Sequence, residues 1–301
     1  MGHRAATLSS GTAVFLEESA MLLQSFRERL PAQGLESHLV CVWVQRVMRS
    51  SPPYAHRTVP NGSIEIVCRI GEAPEIVGLQ TGTREELVPP GTDVVGVRFR
   101  PGAAPAVLGM PASEFVDVAV DADEVWGRGT VRLAEAIAGA ATPEDAAATL
   151  EAEVRARLEG QSPQWRGLSL RHDAQLDPLV AKMVRRLLTA RRDDVSAVAS
   201  SLYVSERQLR RRCEKAVGIG PKALQRMLRF QRFLALTRRH DSKRAELARL
   251  AIEAGYADQS HLSREAVRLA GRTPRALLHE AEHHCRGAHD HAASYRPLLA
   301  S

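Results

Sequence analysis

Apolar and polar residues alternate in several short runs within the first hundred positions of the chain. These runs are rich in β-branched residues and lie at 39–47, 63–70, 75–79 and 94–99. Clusters of Pro, Asn and Gly stand between them, where a chain that reverses direction needs turn-forming residues. Alternation with a period of two, punctuated in this way, predicts a small and largely antiparallel β unit.

Helical spacing of the apolar residues follows this β unit. It is found at 103–108, 130–138 and 146–158. Thr142 and Pro143 precede the last of these runs and are typical of a helix N-cap and first helical position. A further amphipathic helix is predicted at 175–191, beyond a stretch with Gly and Pro at 160–167 that we interpret as a domain boundary.

One small helical unit occurs twice in the second half. In each copy an alanine-rich helix is followed by a tight turn and by a polar residue, Ser205 or Asp258, that can cap a second helix. The second helix then stops at Gly218 or Gly271, a residue suited to a left-handed C-cap. Helix, turn and capped helix together predict two helix-turn-helix units.

The two copies share one register. Three pairs of landmarks are 53 residues apart, namely Leu209 and Leu262, Gly218 and Gly271, and Pro221 and Pro274. The turns at Tyr203 and Gly255 are 52 residues apart, so the second turn region holds one additional residue. Three landmarks at one offset favour a true repeat over two unrelated helical hairpins.

Charge separates the two halves of the chain. Residues 1–165 carry 14 Arg, no Lys and 21 Asp or Glu, whereas residues 166–301 carry 27 Lys or Arg and 14 Asp or Glu. The half with the repeat is therefore the basic one. Because each neutralised phosphate releases counterions, such a surface favours a polyanionic partner, and the arginines crowd onto the capped helices.

Residues 255–274 read Gly-Tyr-Ala-Asp-Gln-Ser-His-Leu-Ser-Arg-Glu-Ala-Val-Arg-Leu-Ala-Gly-Arg-Thr-Pro. Over residues 192–282 the chain resembles the DNA-binding domain of the AraC/XylS family of bacterial transcription regulators. The resemblance implies a long helix joining the two units, here at 221–236, and recognition helices in successive major grooves about 10 bp apart. The chain departs from the family pattern at Tyr203, which replaces a turn glycine.

The resemblance also implies which side chains meet DNA. The expected base-reading residues are Arg207, Arg210 and Arg211 on the first recognition helix and Gln259, Ser260, Ser263 and Arg264 on the second. Arginine pairs with guanine and glutamine with adenine through two hydrogen bonds each. Lys222, Arg272 and Thr273 lie at helix starts, where positive charge and free amides meet phosphate and position the protein.

In the same family the N-terminal half is often a β-barrel of cupin type that senses a ligand or dimerises. We therefore expect an α+β protein with a small cupin-like β-barrel domain bearing helices, followed by an all-α domain of two helix-turn-helix units. The predicted divisions are a sensory or dimerisation domain at 1–162, a DNA-binding domain at 168–285 and a flexible tail at 286–301. Trp43, Tyr54 and Trp126 are either pocket or core residues.

Catalytic signals are missing from the sequence. His3, His38 and His56 are too scattered for a facial metal triad, and no phosphate-binding Gly-rich loop or nucleophile elbow occurs. Cys41 and Cys68 fall short of the four-cysteine zinc site of DNA-repair regulators that share this DNA-binding module. We expect no enzyme activity and no cofactor.

Histidines crowd the C-terminal end. His279 and His283 are four residues apart, a spacing that can hold a metal on one helical face. The tail, however, runs out through small and polar residues that are typical of a frayed terminus. We therefore expect no metal site there.

The sequence predicts a sequence-specific DNA-binding transcription regulator, and the resemblance favours activation. Expected partners are promoter DNA, RNA polymerase, a small-molecule effector bound at unidentified residues of the N-terminal domain, and a second copy in a homodimer. The alternative is an architectural protein whose N-terminal domain binds a protein and no ligand. With no apolar stretch of spanning length and no signal peptide, we expect a cytoplasmic, nucleoid-associated bacterial protein without membrane contact.

Overall fold

The computed structural model describes residues 24–160, 176–189, 194–239, 247–284 and 289–299. A sheet-rich N-terminal domain packs against a helical C-terminal domain, which confirms the predicted α+β class. The strands are β1 (Gln24–Arg29), β2 (Leu39–Val47), β3 (Tyr54–Thr58), β4 (Glu65–Arg69), β5 (Glu75–Val77), β6 (Arg84–Val88), β7 (Thr92–Phe99), β8 (Ala119–Asp121) and β9 (His289–Asp290). All four predicted alternating runs contain a strand.

Two sheets build the N-terminal domain. Seven strands form one sheet in the order β8-β5-β4-β7-β2-β1-β9, antiparallel except for the pairing of β9 with β1. The second sheet consists of β3 and β6, which pair antiparallel although β4 and β5 lie between them in the chain. It faces the large sheet, because Tyr54 and Val88 pack with Phe26 and Trp43 in one apolar cluster.

The two faces of the large sheet differ in what covers them. Along β2, Val42 and Val44 belong to the main core beneath the helices, whereas Trp43 and Gln45 point to the space between the sheets. This is the period-two alternation of a strand with both faces covered. One face of the sheet therefore stabilises the domain, and the other lines an interior space.

Helices complete the N-terminal domain and make up the C-terminal one. The N-terminal helices are α1 (Pro105–Leu108), α2 (Ala122–Trp126), α3 (Thr130–Ala138) and α4 (Pro143–Leu158). The C-terminal helices are α5 (Pro178–Thr189), α6 (Val195–Ser201), α7 (Glu206–Val217), α8 (Pro221–Arg239), α9 (Leu247–Ala254), α10 (Gln259–Ala270), α11 (Pro274–His284) and α12 (Ala292–Leu299). The Thr142 hydroxyl accepts a hydrogen bond from the Asp145 amide at 3.1 Å, as expected for the cap of α4. None of the helices in the described ranges has the length and apolar composition that crossing a bilayer requires.

The long helix α8 occupies the centre of the molecule. Leu224, Phe230 and Phe233 on it are fully buried. Its polar side chains reach distant segments of the chain, since the Gln231 amide donates to the Pro60 carbonyl at 2.8 Å. The Arg232 guanidinium donates to the carbonyls of Leu188 and Leu298. The helix predicted at 221–236 thus connects all parts of the described chain.

The prediction of a flexible tail at 286–301 is wrong for residues 289–299. Strand β9 extends the large sheet at the edge of β1, and α12 packs against α8 with Ala293 and Leu298 buried. Ser294 anchors the segment, because its amide and hydroxyl donate to the Glu28 carboxylate at 2.8 and 2.6 Å. The edge of β1 and the buried Glu28 carboxylate bind this segment. Both are distant in sequence, so the composition of the segment itself does not indicate them.

Gly96 in β7 leaves room for the ring of Trp43, its cross-strand partner. A Cβ atom at Gly96 would lie 2.3 Å from Trp43 Cζ2. We expect Gly96→Ala to lower the free energy of unfolding by about 1–3 kcal/mol, because the indole ring must leave its position. Urea denaturation followed by tryptophan fluorescence measures this. Gly82→Ala is the matched control, since nothing lies within 4 Å of a Cβ there, and an equal effect of both variants would contradict the steric explanation.

Candidate functional site

Sequence-predicted caps open both recognition helices. Ser205 Oγ accepts from the Gln208 amide at 3.2 Å, and Gln208 Oε1 accepts from the Ser205 amide at 3.1 Å, which forms a capping box at the start of α7. Asp258 accepts from the His261 amide at 2.6 Å at the start of α10. Each cap satisfies amides that a helix N-terminus leaves without partners. The two predicted N-caps are confirmed.

The ends of both recognition helices are also as predicted. Gly218 and Gly271 adopt left-handed conformations with φ of 96° and 62°. α7 and α10 are 12 residues long each, and Leu209 and Leu262 are fully buried beneath them. The two helices therefore have equal length, corresponding caps and corresponding buried leucines, and each presents a polar outer face.

The turn of the first unit differs from that of the second. Tyr203 stands in the turn with φ of 56° and is 96% exposed, whereas Gly255 takes φ of 95° in the second turn. A left-handed conformation is strained for a residue with a bulky side chain. The first turn therefore differs from the second in its strained backbone and its exposed phenol. The replacement of a turn glycine by Tyr203 changes only this turn, and α6 and α7 are both formed.

The first recognition helix carries three of the predicted base-reading residues on its exposed side. Arg207, Arg210 and Arg211 are all exposed on α7. Arg210 Nε lies 2.7 Å from Glu214 Oε1, one turn further along the helix. Because that pair is solvent-exposed, it contributes little to the free energy of unfolding. The guanidinium can therefore exchange the carboxylate for another acceptor.

On the second recognition helix, Gln259, Ser260 and Arg264 are exposed, and Ser263 is half-buried. The Ser263 hydroxyl donates to the Gln259 carbonyl at 2.9 Å. His261 packs edge-on against Tyr256 at 5.2 Å between ring centroids, which gives it a packing role. The exposed residues lie together on the first two turns of α10.

The three predicted phosphate contacts lie next to helix starts. Lys222 is exposed at the second position of α8, after Pro221. Arg272 and Thr273 are exposed immediately before α11. The Thr273 hydroxyl accepts from the Ala276 amide at 3.3 Å and so caps α11 in addition to any contact with DNA.

A cavity of about 480 Å³ lies between the two sheets, and the sequence predicted none of its polar wall. Trp43 and Tyr54 line the cavity, which agrees with their interpretation as pocket residues. Trp126 is buried elsewhere, beneath the Arg157 guanidinium, and is a core residue. The C-terminal segment contributes His289 and His291 to the wall. Phe233 and Leu234 of α8 also line it, so the cavity touches both domains.

Buried charges in the cavity wall neutralise one another. Glu65 accepts from Arg98 Nε at 2.8 Å, Trp43 Nε1 at 3.0 Å and Asn61 Nδ2 at 3.1 Å. Arg98 also donates to Glu28 at 3.0 Å. Burial raises the pKa of Glu28, but hydrogen bonding from His291 and the charge of Arg98 outweigh it and lower that pKa to about 2. Glu28 is therefore ionised and paired with Arg98.

Gln45 is the exception in this wall. Its side chain is 2% exposed and lines the cavity, and its Nε2 atom has no hydrogen-bond partner among the residues described. Buried amide donors are nearly always paired, because a missing hydrogen bond leaves the desolvation cost uncompensated. Sequence patterns cannot reveal such an atom, since its isolation depends on strands β1 and β7 on either side.

The small sheet links the cavity to the second recognition helix. Thr83 Oγ1 donates to the Leu269 carbonyl at 3.2 Å, and the Arg57 guanidinium donates to the Ala270 carbonyl. Both acceptors belong to the last turn of α10, whose carbonyls lack partners within the helix. On its inner side, Arg57 also lines the cavity. One sheet thus contacts both the cavity and the end of α10.

Metal binding has no support within the described residues, where no group of three His, Cys, Asp or Glu side chains forms a ligand set. The side chain of His283 lies outside the described residues. Cys41, Cys68 and Cys213 are buried free thiols.

Comparisons with solved structures find ToxT from Vibrio cholerae. An apo form of a ToxT variant has 12% identity and a TM-score of 0.43, with 79% of this chain and 96% of that chain covered. ToxT of strain O395 has 11% identity and a TM-score of 0.42, covering 85% and 97%. A ToxT structure described as bound to an unsaturated fatty acid has 9% identity and a TM-score of 0.40, covering 85% and 94%. A search of curated proteins gives no match.

Two protein families match separate parts of the chain. Residues 27–121 match a family described as a domain of unknown function (DUF6597). Residues 198–280 match a family described as a helix-turn-helix domain. That second range contains both capped recognition helices and the 255–274 motif. Residues 198–280 of the chain are therefore a helix-turn-helix domain, in the range where the sequence resembles the AraC/XylS family.

Proposed function

We propose that the protein is an effector-controlled transcription activator whose helices α7 and α10 enter two successive major grooves of a promoter. The observation that carries this proposal is the equivalence of the two helices in length, cap, anchor and exposed polar face. A rigid α8 between them holds a constant spacing, which suits binding sites about one helical turn, or 10 bp, apart. Activation, contact with RNA polymerase and homodimerisation rest on the family resemblance.

In this proposal, base contacts belong to six exposed residues of the two recognition helices and to the half-buried Ser263. They are Arg207, Arg210 and Arg211 on α7, and Gln259, Ser260, Ser263 and Arg264 on α10. Lys222, Arg272 and Thr273 contact phosphates and set the orientation on the duplex. Residues 168–285 form the DNA-binding domain and residues 1–162 the sensory domain, with the segment 289–299 docked on both.

The cavity between the sheets is the proposed effector site. Its volume of about 480 Å³ lies within the range of small-molecule sites. A filled interior would instead have favoured the alternative, an architectural protein that binds a protein partner through its N-terminal domain. Ligand binding in the cavity acts on α10 through the small sheet. The same two strands border the cavity and donate hydrogen bonds to the end of α10.

Selection of genomic DNA fragments by the full-length protein, followed by footprinting, tests the regulator proposal. Protection of two adjacent major grooves over a bipartite motif is the expected result. Fragments without a common motif, bound only at low salt, would contradict sequence-specific binding.

Arg264→Ala separates base reading from phosphate contact. We expect it to relax preference at one base pair of the site and to cost about 1–3 kcal/mol of specific binding, because a guanidinium pairs with guanine in two places. Lys222→Ala is the matched control and should weaken all sequences equally, lowering the salt slope by about one. Affinities for single-base variants of the selected site measure both effects. If Arg264→Ala weakened binding to all of these DNA sequences equally, Arg264 would contact the DNA phosphate backbone and not a base.

Removing the hydrogen bonds from the small sheet to α10 should lower the free energy of local opening at the C-terminal end of that helix. In the double variant Arg57→Leu with Thr83→Val, two carbonyl acceptors lose their donors, each worth about 1 kcal/mol. We expect hydrogen exchange in the last turn of α10 to accelerate by up to about thirty-fold, as a loss of about 2 kcal/mol produces, while exchange in α7 stays unchanged. The variant Arg57→Lys with Thr83→Ser keeps the donors and serves as control. Equal acceleration in both recognition helices would mean general destabilisation instead of a local link.

A further inference from the structure

The C-terminal segment, residues 289–299, forms one wall of the cavity between the sheets. Four of its side chains line the space, namely those of His289, His291, Ser294 and Tyr295. The same segment packs against α8 through α12. It therefore connects the proposed effector site to the helix that joins the two helix-turn-helix units.

Polar groups hold the first half of this segment, residues 289–294, on the large sheet. His289 Nε2 lies 2.6 Å from Gln24 Oε1. The Ser294 amide and hydroxyl donate to the Glu28 carboxylate at 2.8 and 2.6 Å. Strand β9 adds a pairing of two residues with β1. A short pairing at a sheet edge, held by polar groups, is typical of the parts of a protein that open locally.

Apolar burial holds the second half of the segment on α8. Leu298 is buried in the main core, and its carbonyl accepts from Arg232 Nε at 3.2 Å. In the first half Ala293 is buried against the sheet, and its single methyl group contributes little hydrophobic free energy. The contact with the sheet therefore opens at lower free energy than the contact with α8.

Detachment of the first half leaves the buried charges of the sheet paired. Arg98 donates to Glu28 at 3.0 Å and to Glu65 at 2.8 Å, and none of these three residues belongs to the segment. Water can take the places of Ser294 and His291 at the Glu28 carboxylate. The large cost of a buried charge without a partner does not arise, because the ion pair stays complete.

We propose that residues 289–294 are a two-state element of the effector site, which detaches from the large sheet as one unit while both sheets and α8 stay folded. In the docked state this element completes the cavity wall and links α8 to β1. In the detached state both the wall and the link are lost. A ligand in the cavity that contacts this wall binds the docked state more tightly and therefore favours it. This inference rests on the proposed effector site and names the element that regulates it.

Cys41 reports the detachment. It is fully buried on the inner face of β2, with its Sγ atom 3.5 Å from Ser294 Oγ. Cys68 is equally buried, but it packs in the main core on the opposite face of the sheet. Burial raises the pKa of both thiols to about 12, so neither reacts while it is covered. Detachment of the element uncovers Cys41 alone, whereas complete unfolding uncovers both thiols.

Labelling of the full-length protein with N-ethylmaleimide tests the proposal. Peptide mass spectrometry measures the rate for each cysteine at increasing urea concentrations below the unfolding transition, relative to its rate in the unfolded protein. We expect Cys41 to react at least about ten-fold faster than Cys68, with a weaker dependence on urea, because local opening exposes less surface than unfolding. Equal rates with equal urea dependence would mean that only complete unfolding uncovers Cys41, which would overturn the proposal.

Two variants locate the opening. His289→Ala removes the contact with Gln24, at the opposite end of the docked element from Ser294, and should accelerate the labelling of Cys41 by about three- to ten-fold. Leu133→Ala is the matched control, because it removes a buried leucine of α3, which stays folded when the element detaches. It should accelerate the labelling of Cys68 and leave that of Cys41 unchanged.

Either of two results with these variants would also overturn the proposal. One is an unchanged labelling rate of Cys41 in His289→Ala. The other is an equal acceleration of both cysteines in Leu133→Ala. Leu133→Val takes the place of Leu133→Ala if circular dichroism finds the latter unfolded.

The regulator proposal and this inference can fail separately. Selection of a bipartite DNA motif by a protein whose Cys41 and Cys68 react at equal rates would refute the detachment and leave the regulator intact. Faster reaction of Cys41, in a protein that selects no motif, would support the detachment and contradict sequence-specific DNA binding.

Discussion

Burial of the central helix α8 is the constraint on which the rest of the structure depends. Leu224 of this helix abuts the loop at Gly62, where a Cβ atom would lie 2.8 Å from Leu224 Cδ1. Its other faces contact α7, α9, α10 and α12. Because Phe233 and Leu234 also line the cavity, one helix borders both the helix-turn-helix units and the interior of the N-terminal domain. Close-packed interiors do not deform continuously, so a displacement of α8 must move its neighbours with it.

The N-terminal domain holds the two recognition units at different places. At the first unit, a Cβ atom on Gly218 would lie 2.8 Å from Val116 Cγ2, so the end of α7 is packed tightly against residues 112–116. At the second unit, the link is made by the hydrogen bonds from Arg57 and Thr83 to the last turn of α10. Hydrogen bonds at a helix end open at lower free energy than a packed core. The structure thus favours α10 as the unit whose position responds to the cavity.

Local signals in the sequence predicted the parts of the fold that local physics determines. Ser205, Asp258 and the two C-cap glycines follow from backbone groups that every helix end must satisfy, and β2 and β7 follow from alternation. Strands β3 and β6 read Tyr-Ala-His-Arg-Thr and Arg-Glu-Glu-Leu-Val, and their half-exposed polar positions hide the period of a strand. The docking of residues 289–299 and the isolation of Gln45 depend on contacts between distant segments. The two capped helices were therefore predictable from sequence, and the cavity was not.

The cavity between the sheets and the last turn of α10 are both bordered by the small sheet of β3 and β6. A ligand can shift the arrangement of α10 only by the difference between its affinities for the two arrangements. Under the proposed function the small sheet is the element that supplies this difference, because its inner side lines the cavity and its hydrogen bonds end on α10. A ligand that fits one position of the sheet better than another would therefore shift α10 by at most the difference between those two affinities.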